Sequence, residues 1–237
     1  MLHPNRLPGG CHLSGTPRAW AMTSGEFPRA LTLQPSPNFG GGTLGRAARR
    51  RIFVAVTLAP ALLAAVGGVR SRLAEVDSGL RWVPPGNLHF TLKFLGGITP
   101  SQLTGVVAAA HEVAARTQRF SITLAGLGAF PSARRPRVVW IGVSSGADHL
   151  VALAEDLDVA LRQMRVPRED RPFHPHLTIA RVRDASPAAD LSNEVGALRE
   201  LEWGSQTVDA LCVMESHLRP SGAVYQQVEE VRLRGRA

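Results

Sequence analysis

From residue 51 onward the apolar positions fall into short runs whose period changes between two and about 3.6. Residues 52–58 are almost wholly apolar and predict a buried strand. Residues 60–76 predict a helix, with Pro60 suited to its first turn. A strand over 88–95, a helix over 100–115, and strands over 120–127 and 138–143 follow. A helix over 147–164 leads into a polar, Pro-containing loop, then a strand over 176–182. The last strands are expected over 207–218 and 225–233. Strands and helices mix throughout, and the connections are too short for a doubly wound parallel sheet. The pattern predicts a two-lobed α+β domain over 51–233, followed by a tail at 234–237.

Residues 1–50 read differently. They hold eight Gly and six Pro with no periodic apolar run. Such text cannot bury enough surface to offset chain entropy, so it is expected to be a disordered extension or a start assigned too far upstream. It has no apolar core of a secretory signal, and too little Ser and amphipathicity for a transit peptide. Gly40, Gly42 and Gly45 match a dinucleotide-binding spacing, but no strand precedes them and a strand rather than a helix follows.

This division changes how the net charge of +8 is understood. The first 50 residues carry six Arg against Glu26 alone, whereas 51–237 carry 21 basic and 18 acidic side chains. The folded part is only mildly basic. Arg supplies all the basic residues except Lys93, a bias that a GC-rich genome produces without selection for phosphate binding. Cys11 and Cys212 are too few for a disulfide framework or a zinc knuckle, so a reducing, cytoplasmic setting is expected. The most apolar stretch, 58–69, is broken by Pro60, Gly67 and Gly68 and is too short to span a bilayer.

The chemistry lies in an internal repeat. His89-Phe90-Thr91-Leu92 and His176-Leu177-Thr178-Ile179 share the form His-apolar-Thr-apolar and stand 87 positions apart. In a strand, residues i and i+2 share a face, so each tetrapeptide presents a His and a Thr on one side and anchors two apolar side chains on the other. A lone His in a strand is most often a hydrogen-bonded structural residue. Two copies in separate predicted lobes point instead to convergence of two imidazoles and two hydroxyls. Imidazole titrates near neutrality, so one ring can act as base and the other as acid. A Thr hydroxyl can donate to a phosphoryl oxygen as its charge grows. The set suits in-line displacement at phosphorus without a metal or cofactor.

With these motifs the chain resembles the 2H phosphoesterase superfamily, and within it the RNA 2′,3′-cyclic phosphodiesterase (2′-5′ RNA ligase) family. Residues 81–96 are similar to its first motif block, Phe130-Pro131 and 134–140 to a middle block, 174–181 to the second motif and 215–225 to a C-terminal block. The resemblance implies two pseudo-symmetric lobes of antiparallel sheet backed by helices, with a central cleft. It implies opening of a 2′,3′-cyclic phosphate at an RNA 3′ end to a 2′-phosphate. By position His89 would be the acid that protonates the departing 3′ oxygen and His176 the base that activates water, although pseudo-symmetry allows the reverse. Thr91 and Thr178 would hold phosphate oxygens. Phe90 and Gly86 depart from the usual residues, either pointing away from the chemistry or lying in a loop.

Arg181 stands five positions after His176, which on a straight strand puts it on the opposite face. Only twist or a bulge would turn it toward the site, and the resemblance favours a phosphate contact. Arg134, Arg135 and Arg137 form a basic run read either as a solvated face or as a ridge for RNA backbone. His174 and His176 have a spacing open to metal, but no Cys, Asp or Glu ligand pattern lies nearby. His111 and His149 are expected to be surface residues and His217 structural, with lining of the cleft as its alternative; Trp82, Phe130 and Tyr225 are expected to pack in the core, with stacking of a terminal base as the alternative. The expected partners are RNA 3′ ends, tRNA fragments among them, with no membrane, and the protein is expected to be a monomer. Rival readings are a small cyclic nucleotide as substrate, 2′-5′ ligation, a vestigial RNA-binding module, and a metal-dependent phosphodiesterase.

Overall fold

The computed structural model describes residues 48–76, 79–164, 172–182, 189–220 and 222–235. The reading of the N-terminal segment as an extension, with Cys11 and the Gly40–Gly45 spacing, falls almost wholly outside them. So does the reading of the tail, in part.

β1 (Arg50–Thr57) shows why its sequence lacks alternation. Ile52, Val54 and Val56 enter the main core, while Phe53 and Ala55 on the other face join Cys212 and Met214 in a smaller buried cluster. A strand covered on both faces reads as a continuous apolar run. β1 pairs with β3 (His89–Ile98) on one side and β8 (Ala210–Arg219) on the other, and β8 pairs with β9 (Gly222–Arg232). The second sheet runs β2 (Leu80–Trp82), β6 (Leu177–Val182), β5 (Val138–Ser145), β4 (Phe120–Phe130), β7 (Glu202–Val208). Every pairing between these strands is antiparallel.

Helices α1 (Pro60–Val76) and α4 (Ala189–Ala197) back the second sheet through β7 and β4. Helices α2 (Pro100–Arg116) and α3 (Ala147–Ala160) back the first through β3, β8 and β9. α1 turns Leu62, Val66, Val69 and Leu73 inward at helical spacing. α2 starts at a capping box: Thr99 Oγ1 accepts from the Gln102 N–H at 3.3 Å, and Gln102 Oε1 accepts from the Thr99 N–H at 3.0 Å. One contiguous set of buried side chains runs under both sheets. Two antiparallel lobes with helices behind them are thus the architecture expected from the sequence. Among the described residues, no helix is long and apolar enough to cross a membrane.

Three details differ from expectation. The strand expected over 207–218 is two strands in different sheets, β7 and β8, with Asp209 as the crossing residue. Its carbonyl accepts from Leu233 N at 2.8 Å and its carboxylate from Arg232 at 2.8 Å, which holds the chain as it changes sheet. β2 and α4 were not expected, being short and weakly patterned. The helix expected to reach 164 ends at Ala160, and a 3₁₀ turn follows at Arg162–Met164.

Candidate active site

The two motifs lie on β3 and at the start of β6, one in each sheet, and these strands touch across the cleft between the lobes. The rings are held alike. His89 Nδ1 is 2.7 Å from the carbonyl of Asn87, and His176 Nδ1 is 2.8 Å from the carbonyl of His174. A carbonyl can only accept, so each Nδ1 carries the proton and each Nε2 is left as the acceptor nitrogen. The Asn87 carbonyl is itself fixed: its side-chain Nδ2 donates to Ala223 O at 2.8 Å and its N–H to Pro84 O at 2.8 Å.

Aromatic side chains wall both imidazoles. His89 lies 4.9 Å from Phe53 and 5.2 Å, edge-on, from Tyr225. His176 meets Phe130 edge-on at 5.2 Å and Trp140 at 6.3 Å. Burial pulls both histidines below the ordinary imidazole range, partly offset by the carbonyl bonds. His89 also feels the charge of His176, so protonating one ring disfavours protonating the other. That coupling favours one acid and one base.

Thr91 and Thr178 follow on the same faces. Thr91 stands opposite Ala55 and Thr178 opposite Trp140, and neither hydroxyl has a hydrogen-bond partner among the described residues. Beyond Thr178 the register slips: Trp140 pairs with Thr178 but Val139 pairs with Ala180. Ile179 and Ala180 both turn into the core, at 1% and 0% exposure, and the bulge brings Arg181 onto the cleft face. Its charge acts on the Tyr225 phenol of the other sheet. The first motif repeats this slip. Ala55 pairs with Thr91 but Val54 with Lys93, so Leu92 and Lys93 both turn inward and Phe94 faces out, beside Phe53 at 5.9 Å. Lys93 enters the core against Asp158 of α3, Nζ to Oδ1 2.5 Å.

Trp140 lies flat across Gly128 of the neighbouring strand. A Cβ at Gly128 would fall 2.1 Å from the indole, so only glycine lets the ring sit beside His176. The Arg134, Arg135 and Arg137 run occupies the exposed β4–β5 loop. Arg137 is tied by its N–H to Phe130 O at 2.7 Å and by its carbonyl to Val182 N at 3.1 Å. The basic run therefore adjoins the strand of Arg181, and Arg181 also stands opposite Arg81 on β2.

Phe130 and Tyr225 lie edge-on against the two histidines, Tyr225 also packing on the smaller buried cluster as expected; Trp82 packs on the main core, beneath Arg70 at 5.8 Å. His111 and His149 are exposed, and His217 sits 3.6 Å from Glu215. Among the described residues no group of three His, Cys, Asp or Glu side chains is placed to hold a metal. A separate depression of about 620 Å³, lined by Thr117, Arg119, Phe120 and His149 among others, shares no residue with the cleft. Asn87, Phe53 and Phe94 were not anticipated from sequence. The signal for Phe94 was present, since it follows His89 at the interval separating Arg181 from His176.

Two antiparallel lobes that aim one carbonyl-oriented imidazole each into a shared cleft define a 2H phosphoesterase. Comparison with known proteins gives the particular family. The model of the 2′-5′ RNA ligase superfamily matches residues 58–220, and the chain belongs to that family. It is 37% identical over 164 residues to a protein of Aquifex aeolicus named RNA 2′,3′-cyclic phosphodiesterase, covering 68% of this chain and 87% of that one. A protein of the same name from Methanothermobacter thermautotrophicus is 33% identical over 183 residues, 77% of this chain and 98% of its own. Among solved structures, TT0787 of Thermus thermophilus superimposes with a TM-score of 0.68 at 30% identity, covering 79% of this chain and all of that one. E. coli LigT complexed with 3′-AMP gives 0.63 at 25% identity, covering 78% and 98%.

Proposed function

We propose that the protein hydrolyses a 2′,3′-cyclic phosphate at the 3′ end of RNA to a 2′-phosphate, without a metal, through its paired His-x-Thr motifs. The observation that carries this reading is the matched pair of imidazoles, each with Nδ1 bound to a backbone carbonyl and Nε2 left available, on strands that meet across one cleft. The curated relatives named as RNA 2′,3′-cyclic phosphodiesterases support the substrate class.

In this mechanism His176 Nε2 takes a proton from water as the water oxygen bonds to phosphorus. The P–O3′ bond breaks on the opposite side, and His89, protonated on Nε2, gives its proton to the leaving 3′ oxygen. The products are a 2′-phosphate and a 3′-hydroxyl, and the two rings exchange protonation states before the next turnover. The near-identical settings of the rings permit the roles to be reversed. Thr91, Thr178 and Arg181 hold the non-bridging oxygens as charge builds on them. Arg134, Arg135 and Arg137 run alongside for the RNA backbone, and the exposed Phe94 ring offers a stacking surface to the terminal base.

The test is incubation with an RNA oligonucleotide ending in a 2′,3′-cyclic phosphate, in EDTA, with product analysis distinguishing 2′- from 3′-phosphate. Conversion to 2′-phosphate by the wild type, lost in His89→Ala and His176→Ala, is the expected result. A 3′-phosphate product, a requirement for added metal, or undiminished turnover in either variant would overturn the mechanism.

A further inference from the structure

Three consecutive arginines, Arg49 to Arg51, stand at the start of the first sheet and take different partners. Arg50 faces the side of Ile52 and Val54 and donates from Nε to Glu215 at 2.9 Å. Arg49 donates to Gly97 O at 2.9 Å. Arg51 shares the parity of Phe53 and Ala55, so it faces the cleft. It is half-buried and has no carboxylate partner among the described residues.

The register carries Arg51 toward the site. Ile52 pairs with Glu215 across β1 and β8, which sets Arg51 opposite Ser216, and Ser216 pairs with Tyr225 across β8 and β9. Arg51 and Tyr225 thus stand in one row, about 10 Å apart with a single strand between them. The Tyr225 ring meets His89 edge-on and lies 5.0 Å from Phe53. Burial pushes its phenol up, so it keeps its O–H as a donor, while Arg181 from the other sheet and Arg51 from its own both bear on it. A half-buried cation with no carboxylate partner among the described residues, in one row with a half-buried tyrosine and facing a second cation, is a receptor for an anion. It lies one aromatic ring away from the proposed acid and is distinct from the two threonines.

We propose that Arg51 and the Tyr225 hydroxyl, with Arg181 opposite, form a second phosphate subsite that takes the internucleotide phosphodiester on the 5′ side of the terminal nucleotide. The protein thereby selects oligonucleotides over free cyclic mononucleotides. This rests on the proposed function for the identity of the reacting group. Arg181, on the face of Thr178 and within the field of Tyr225, serves both phosphates.

The experiment compares two dinucleotides ending in a 2′,3′-cyclic phosphate, one with an ordinary linkage and one with a neutral methylphosphonate linkage. Steady-state kinetics are measured for the wild type, Arg51→Gln, Arg51→Lys and Arg49→Gln. The wild type is expected to favour the charged linkage by about tenfold in KM, the scale of one charge-assisted hydrogen bond. Arg51→Gln brings that ratio below about twofold, whereas Arg51→Lys and Arg49→Gln retain most of it. The ratio is internal to each variant, so a general loss of folded protein does not move it. A wild type indifferent to linkage charge, or an Arg51→Gln variant that keeps the preference, overturns the subsite.

Binding of fluorescein-labelled dinucleotides with a terminal 2′-phosphate, in charged and neutral forms, separates the two readings. An Arg51-dependent preference in binding with no turnover of either substrate sinks the hydrolytic reading and leaves the subsite standing. Turnover without any preference does the opposite.

Discussion

Phe94 and Arg181 occupy the same place in the two lobes. Each follows its motif histidine by five residues, and each reaches the cleft because a bulge after the threonine turns two consecutive residues into the core. The lobes are alike in backbone and unlike in chemistry at this position, with an exposed aromatic ring facing one end of the cleft and a cation facing the other. A substrate with a base on one side and a phosphate on the other is matched by that asymmetry.

The asymmetry predicts different kinetic signatures. Phe94→Ala should raise KM for oligonucleotides by the loss of a stack, about 1–3 kcal/mol, with kcat changed little. Arg181→Ala should lower kcat/KM by the loss of a charged hydrogen bond, about 1.5–3 kcal/mol, and should act on kcat as well. Steady-state kinetics on a cyclic-phosphate-ended RNA check both, and a uniform loss in the two variants would refute the division of roles.

The matched histidines predict matched losses. His89→Ala and His176→Ala should each reduce turnover by about 10²–10⁴. The double variant should fall little further, because in the proposed mechanism acid and base act as a unit. Thr91→Ala and Thr178→Ala should cost less, about 1.5–3 kcal/mol each in kcat/KM. Single-turnover rates on folded variants are the measurement, and additive losses for the two histidines would count against concerted action.

Burial lowers both imidazole pKa values, and the sign of the pH effect follows. The base must be neutral, so its acid limb in kcat/KM lies below the ordinary imidazole value of about 6.5. The acid must be protonated, so in the free enzyme its alkaline limb also begins early. The kcat/KM profile should be a bell with its maximum on the acid side of 6.5. A bound phosphate anion favours imidazolium, which moves the alkaline limb of kcat upward. A kcat/KM profile that rises continuously from pH 6.5 to 8 would contradict this.

Gly128→Ala tests the wall behind His176. The added methyl would fall 2.1 Å from the Trp140 indole, which must then leave its place beside His176. Overpacking of this kind costs about 1–3 kcal/mol. Activity should fall while the protein stays folded, as read by thermal melting and turnover together, and an unchanged kcat would show that Trp140 does not position His176.

Lys93 and Asp158 form an ion pair with the ammonium at 3% exposure. Asp158→Ala leaves that charge buried against fewer partners, at about 3–5 kcal/mol for a fully buried pair. The quarter-exposed carboxylate reduces the expected value toward the lower end. Replacing both residues with apolar side chains of similar volume should restore much of the loss. Denaturant unfolding of the single and double variants checks this, and a double variant as unstable as the single one would show that packing rather than charge carries the effect.

The repeated tetrapeptide was readable because alternation along a strand is local: His89 with Thr91, and His176 with Thr178, share a face whatever lies beside them. The same locality made the α+β class, the buried character of β1 and the position of α2 legible. Three features were not. The fate of Arg181 and Phe94 depends on a one-residue slip against the neighbouring strands, and a bulge is a property of the pair rather than of either sequence. The transfer at Asp209 from one sheet to the other is marked only by that single acidic residue between Val208 and Ala210, which does not by itself distinguish a change of sheet from a polar position in one strand. Arg51 and Tyr225 share a row only through Ser216 on the strand between them. Residue type and period thus determined which groups are available for chemistry. Register, bulges and the packing of two sheets decided which of them face one another, because those are settled by contacts between segments far apart in the chain.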